Sequence, residues 1–395
     1  MTPQEEKATK MPYKSITKFD LKDAPQHTTG IEGASQGGRQ YGHLAELDPA
    51  FAAEKPRLDA AAAALWSVPD RSWNALRQTI RRRSSHEQQQ QKQTEHNPVD
   101  LDVSHGTVRA RDGAEIKIKT IRRKGAPVSS TALAGKEQES SLLVLRIHGG
   151  GWCADPESAS EEAEDGRIAG MPNVVLIRVS YRLAPEYTYP YALNDCYDVL
   201  LWCKLNADDL GVDPERILLI GSGAGASLAA SVALKARDKG TTGIVGQVLD
   251  FPMTCHPKLY PQGGGGGRLE LRSYEQNAEA TTISSPLVDL LYDTYVSDSS
   301  TEKAAAAYHS PLLAPSLAHM PPALVQVAGF DPLRDEGIAF SEKLRGQAVA
   351  SELHVYKGLP HGFPDFLPDL PQTREFYARQ HEFIRRCANR EGIFA

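Results

Sequence analysis

Three short stretches of this chain carry residue types suited to carbonyl chemistry. His148-Gly149-Gly150-Gly151-Trp152 directly follows the apolar run 142–147. Consecutive glycines at the end of a strand let backbone N–H groups point into a cavity, and such donors stabilise an oxyanion as it develops. Asp331 lies in Gly329-Phe330-Asp331-Pro332-Leu333-Arg334-Asp335-Glu336, just past the run 323–327. His361 lies in Leu359-Pro360-His361-Gly362-Phe363, just past the run 353–356. A carboxylate bonded to a His fixes its tautomer and stabilises its protonated form, so the two together make a general acid–base pair. Taken singly, Asp331 reads equally as a helix N-cap and His361 as a surface turn. In this order, downstream of the glycine loop, they read as a pair.

A further stretch, Tyr181-Arg182-Leu183-Ala184-Pro185-Glu186, follows the run 174–179. Alone it means little. With the glycine loop, the spacing and the C-terminal half, it resembles the hormone-sensitive-lipase-like branch of the α/β-hydrolases. The resemblance covers about residues 99–386, and more weakly 47–83. It implies an α/β-hydrolase fold: a mostly parallel eight-stranded sheet with helices on both faces and a helical cap. It also implies a Ser–His–Asp triad in an acyl pocket. Asp331 and His361 fall on two triad positions. The N–H groups of Gly150, Gly151 and Ala224 fall on the oxyanion hole, with His148 and Gly149 supporting the loop.

The third triad position departs from the family. The G-x-S-x-G elbow reads Gly221-Ser222-Gly223-Ala224-Gly225-Ala226 here, with Gly223 at the nucleophile position. Ser222 stands for the usual Asp, and Ala226 for the usual second Gly. The run 217–220 and the helical segment from Ala224 fix this register. Gly33-Ala34-Ser35-Gln36-Gly37 also fits the pattern, but it sits in a polar tail and reads as a chance match. Ser222 is one residue early, near a strand end, and its side chain is expected to point away from position 223. Ser227 lies one helical turn on, and Cys153 is expected to pack. Gly221-Ser222-Gly223 superficially opens a dinucleotide fingerprint, but no acidic ribose partner is evident and its company favours the elbow.

Glycine adopts the strained elbow geometry freely, relieving roughly 1–3 kcal/mol. Loss of a nucleophilic serine lowers turnover on the order of 10⁶, while ~10³–10⁴ over water can remain from oxyanion donors and binding. What stays is a His–Asp pair facing N–H donors, which suits proton abstraction beside a carbonyl. The expected function is therefore a repurposed acid/base catalyst, of elimination, condensation or cyclisation type, on a small apolar carbonyl or ester compound. A weak carboxylesterase or lipase-like hydrolase is the second expectation, and a non-catalytic ligand-binding protein the third. The retained pair favours the first over the third. Trp66, Trp73, Trp152 and Phe251, in or near the expected cap, suggest an apolar substrate, although large rings also fill cores.

Elements must position these residues. From residue 99 onward, short β-branched runs alternate with helix-length segments at 158–170, 191–210, 224–239, 333–345 and 372–390, the pattern of a parallel sheet covered on both faces. Asp112-Gly113 marks a hairpin turn. Residues 1–46 read as a disordered or loosely packed tail. Residues 47–83 read as two cap helices, the first begun at Asp48-Pro49. Residues 84–97 are a Gln-rich linker, and 98–395 are the hydrolase domain. An insertion at about 253–309 carries five glycines at 263–267 and a helix-like stretch at 285–295.

The chain has 395 residues with 44 Lys plus Arg against 50 Asp plus Glu, a net charge of −6. Such mild acidity argues against a dedicated nucleic-acid binder. The five cysteines form no C-x-x-C pair, and free, mostly buried thiols in a reducing compartment are expected. No secretory signal and no apolar stretch of membrane length is evident. A cytoplasmic protein with no cofactor, no metal and no membrane span is expected.

Overall fold

The computed structural model describes residues 41–66, 72–79, 100–125, 140–155, 158–260, 271–296 and 303–390. Eight strands form one sheet: β1 (Leu101–Arg109), β2 (Glu115–Arg123), β3 (Ser141–Ile147), β4 (Val174–Ser180), β5 (Val212–Ser222), β6 (Ile244–Asp250), β7 (Ala323–Phe330) and β8 (Ser351–Pro360). Their order is β1-β2-β4-β3-β5-β6-β7-β8. β1 and β2 run antiparallel to each other, β2 runs antiparallel to β4, and all other pairs are parallel. The β1–β2 turn is the expected one: Gly113 has φ +88° and its N–H donates to Ala110 O at 2.8 Å.

The helices are α1 (Pro49–Trp66), α2 (73–79), α3 (Ala159–Ala169), α4 (Tyr191–Leu205), α5 (Ala207–Leu210), α6 (Ala224–Asp238), α7 (Ser273–Gln276), α8 (Ser285–Tyr295), α9 (Lys303–His309), α10 (Arg334–Arg345) and α11 (Pro371–Ala388). The segment 191–210, expected as one helix, is two. They part at Asn206, whose side-chain amide donates to Trp202 O at 2.8 Å. An Asn that bonds nearby backbone competes with the helical ladder.

Strand periodicity sorts the core into two faces. Leu143, Leu145 and Ile147 of β3 pack with α4 and α6 residues such as Val199, Leu228 and Val232. Leu142 and Val144 pack on the other face with Ile168, Phe383 and Ile384 from α3 and α11. Every residue of β3 is buried, as a strand covered on both sides requires.

The N-terminal helices attach at two places. Asp48 starts α1, its Oδ1 accepting from Ala50 N at 2.9 Å, and its own N–H donates to Gly358 O of β8 at 3.2 Å. Phe51 is fully buried among Phe251, Tyr356, Leu359, Phe363 and Phe376. α1 continues through Pro56, which contributes no N–H to the ladder. From α2, Arg77 Nε donates to Cys153 O at 2.6 Å, and its Nη2 meets Glu186 Oε2 at 2.7 Å. That helix thereby ties the glycine loop to the Tyr181–Glu186 stretch.

Residues 1–40 of the tail, the Gln-rich stretch 84–97, the glycines 263–267 and the match at 33–37 lie outside the described residues. Among the described residues no helix is long and apolar enough to cross a membrane. All five cysteines are free and buried.

Two glycines, Gly225 in the first turn of α6 and Gly240 just past its end, separate close packing from backbone freedom. A Cβ on Gly225 would lie 2.2 Å from Ile147 O, whereas one on Gly240 (φ +68°) meets nothing within 4 Å. Gly225→Ala is expected to lose more than about 4 kcal/mol or fail to fold, and Gly240→Ala to lose about 1–2 kcal/mol. Urea unfolding of the two variants checks the contrast.

Candidate active site

Four strands deliver the candidate residues at one edge of the sheet. His148 is the first residue past β3, Gly223 past β5, Asp331 past β7 and His361 past β8. These strands are parallel, so their carboxyl ends share one edge, where such sheets place their sites.

Backbone meets backbone where β3 and β5 end. A Cβ on Gly221 would lie 2.2 Å from Gly225 O, one on Gly225 2.5 Å from His148 O, and one on Gly149 2.9 Å from Ser222 O. No other residue type fits at these positions without moving a strand end. The elbow residue Gly223 has φ +54° and ψ −118°. Its N–H donates to Asp250 O at 2.8 Å and its carbonyl accepts from Ser227 N at 3.1 Å. A Cβ built there would stand 3.3 Å from His361 Nε2.

His361 Nδ1 and Asp331 Oδ2 are 2.8 Å apart. Nδ1 therefore carries the proton, and the Nε2 lone pair faces the elbow. Among the described residues Nε2 has no hydrogen-bond partner. Asp331 is 1% exposed, and its Oδ1 accepts from Leu333 N at 2.8 Å. The ring of His361 lies 5.3 Å from that of Phe251.

The glycine loop supplies donors. Gly150 and Gly151 have φ +99° and +61°. Their N–H groups, and that of Ala224 at the first turn of α6, have no acceptor among the described residues. The positive end of the α6 dipole adds to the Ala224 donor. His148 is buried and stacks on Tyr181 with ring centroids 4.1 Å apart, and the Tyr181 hydroxyl donates to His148 O at 3.0 Å. Arg178 Nη2 holds Asp155 at 2.8 Å, and Asp155 lies 3.6 Å from His148 Nε2.

The sequence reading missed several contributors. Asn277 Nδ2 donates to Asp331 O at 2.9 Å and to Gly329 O at 3.3 Å. Thr282 Oγ1 donates to His361 O at 2.7 Å. Leu291 of α8 lies over the glycine loop, where a Cβ on Gly151 would meet its Cδ2 at 2.5 Å. All three come from the stretch read as an insertion, and none carries a local motif.

The expected aromatic lining takes a different form. Trp73, Trp152 and Phe251 are 2%, 0% and 2% exposed, so they pack the core. Trp152 stacks on Tyr295 at 4.5 Å. The side chain of Trp66 lies outside the described residues. Cys153 is buried, and burial pushes its thiol far above the ordinary range, which leaves no thiolate. Ser227 is 2% exposed. No hydrogen bond joins Ser222 to His361 among the described residues.

The comparisons with known proteins identify the fold and the family. The family described as alpha/beta hydrolase fold matches residues 144–365. The chain belongs to the α/β-hydrolase family. Its motifs and esterase relatives place it in the hormone-sensitive-lipase-like branch. Esterase LipI of Mycobacterium tuberculosis is 31% identical over 239 residues, covering 60% of this chain and 71% of that protein. Carboxylesterase NlhH of the same species is 32% identical over 247 residues, covering 62% and 73%. A solved esterase from the hyperthermophilic archaeon Pyrobaculum calidifontis aligns with a TM-score of 0.70 at 29% identity, covering 87% of this chain and 99% of that one.

Two buried acids of this α/β-hydrolase brace the site. Asp250 lies beneath the elbow, its oxygens accepting from Gln326 Nε2 at 2.9 Å and Gln380 Nε2 at 2.8 Å. Burial pushes it up to about 7. Glu336 accepts from Thr254 N at 2.5 Å, Cys255 N at 3.3 Å and the Tyr260 hydroxyl. Burial pushes it up to about 8. Both values are raised above those of the unfolded chain, so the folded state binds more protons between them. The stability each confers is complete below the ordinary carboxylate range and is lost as pH rises to its folded value. The free energy of unfolding in urea is expected to fall from pH 5 to pH 8, less steeply in Asp250→Asn. Equal slopes in the two proteins contradict this account.

Proposed function

We propose that this chain is an acid–base catalyst acting on a small apolar carbonyl or ester compound without a protein nucleophile. In this reading Gly223 stands at the nucleophile position of its relatives. His361 Nε2 carries the proton and Asp331 orients the ring and stabilises its charged form. The N–H groups of Gly150, Gly151 and Ala224 hold the oxyanion, with His148 and Gly149 shaping the loop. α1, α2 and the helices α7, α8 and α9 serve as the cap, and the protein is cytoplasmic.

One observation carries the reading. His361 Nδ1 keeps its 2.8 Å bond to a buried Asp331, while Nε2 faces a residue that offers no hydroxyl, 3.3 Å from where its Cβ would be. A binding protein needs neither the ring's orientation nor a buried counter-charge. With N–H donors that have no acceptor among the described residues, the arrangement takes a proton from a bound reactant while a carbonyl oxygen gains charge. Elimination, condensation and cyclisation all run through such a step. The esterase relatives support a second reading, slow ester hydrolysis by a water that His361 deprotonates.

Two chromogenic probes test the role of His361. p-Nitrophenyl butyrate reports hydrolysis, and 4-(4-nitrophenoxy)butan-2-one reports elimination after proton abstraction beside the ketone. Nitrophenol release from at least one probe is expected to exceed buffer, and to fall about 10²–10⁴-fold in His361→Ala. Asp331→Asn is expected to lower it as well, by weakening control of the tautomer. Release unchanged in His361→Ala overturns the reading.

A further inference from the structure

The sheet ends in two outer strands, β1 and β8, and they are finished differently. At β8, Asp48 N donates to Gly358 O at 3.2 Å, and a Cβ on Gly358 would meet Glu46 O at 2.1 Å, so the chain ahead of α1 lies against that strand. At β1, residues 102–107 are exposed, odd and even alike, and Val103 is 52% exposed. Bonds at both ends of the β1–β2 ladder fix which backbone groups face out. Lys124 N donates to Asp100 O and Ala110 N to Ala114 O, each at 2.8 Å, so the even-numbered residues of β1 bond to β2. In an antiparallel pair such residues alternate with ones whose N–H and C=O point the other way. Leu101, Val103, His105, Thr107 and Arg109 therefore hold these groups out from the sheet, and none of them has a further hydrogen bond among the described residues. The strand is nine residues long and carries no Pro, no Lys and no register shift, three of the devices that blunt an outer strand.

We propose that β1 is the docking surface for a second copy of this chain, the two strands pairing antiparallel about a two-fold axis at His105. In that register His105 faces its own copy, Val103 faces Thr107 and Leu101 faces Arg109, all as bonded pairs. Asp102 faces Val108 and Ser104 faces Gly106 in the pairs between. Every outward N–H and C=O of the strand gains a partner, whereas any other register leaves some of them over. The strand's one carboxylate meets Val108 and its one guanidinium meets Leu101, so neither stands opposite its like. A parallel copy in the same register instead stacks Asp102 on Asp102 and Arg109 on Arg109. A surface that matches itself in this way is what a two-fold contact requires, and the pairing runs one continuous sheet through both copies.

Sedimentation velocity of the full chain, from about 1 to about 100 μM, tests the pairing, with the mass of two chains expected at the upper end. His105→Pro removes an N–H that faces out rather than one bonded to β2, and an outer strand tolerates Pro. It is expected to keep the circular dichroism of the native protein and to raise the dissociation constant of the dimer at least tenfold. His105→Cys tests the register, because Cα atoms of a bonded antiparallel pair lie about 5.5 Å apart, within reach of a disulfide. The native cysteines are buried, so under oxidised glutathione an interchain bridge is expected at residue 105 and is mapped by peptide mass. Ser104→Cys is expected to stay reduced, because in this register its copy is a diagonal neighbour about 7–8 Å away. A chain that stays monomeric over the whole range, a dimer unaffected by His105→Pro, or a bridge at Ser104→Cys in place of His105→Cys overturns the proposal.

Discussion

Backbone packed against backbone, where β3 and β5 end, is the constraint on which the site depends. Gly225 lets α6 begin against the carbonyls of Ile147 and His148, and Gly149 lets the glycine loop pass Ser222. The absence of these two side chains brings two segments into a contact that any Cβ would open. The consequence is electrostatic. Among the described residues the N–H groups of Ala224, Gly150 and Gly151 are left without acceptors at the same sheet edge, a placement suited to a developing negative charge. The positive φ of Gly223 completes the turn and points the direction a Cβ would take at His361.

The Asp331–His361 pair is held from a different direction. β7 and β8 bring Asp331 and His361 side by side, but the insertion fixes their loops. Asn277 bonds the carbonyls of Gly329 and Asp331, and Thr282 bonds the carbonyl of His361. Leu291 of the same segment covers Gly151. The segment that closes over the glycine loop is thus also the one that steadies the loop of His361. Movement of that segment would disturb both halves of the site together. α1 adds a brace, because Phe51 packs in the cluster that contains Phe251, and Phe251 touches the His361 ring.

Much of this was legible in the sequence, for local reasons. The strands announce themselves as short apolar runs, and His148, Gly223, Asp331 and His361 each lie within five residues of the end of one. The turn at Gly113 and the start of α1 at Asp48 rest on the chemistry of single residues. What was not legible depends on distant partners. Nothing near Asn277 or Thr282 says which carbonyls they will meet, and nothing near Asp250 says that two glutamines will bury it. The aromatics show the same limit: a Trp beside a glycine loop reads as a pocket wall until Tyr295 is found stacked on it. The break at Asn206 was written in the residue type, yet apolar periodicity on either side concealed it.

The central claim is that the acyl site is assembled and complete except for a nucleophile at position 223. Fluorophosphonate labelling read by intact mass and peptide mapping tests it directly, because phosphonylation requires an activated hydroxyl, the His–Asp pair and the oxyanion donors in register. The account predicts no label on the native chain and a single label at residue 223 in Gly223→Ser, lost again when His361→Ala is added. A label on Ser222 or any other residue of the native chain, or a folded Gly223→Ser that stays unlabelled, would contradict it.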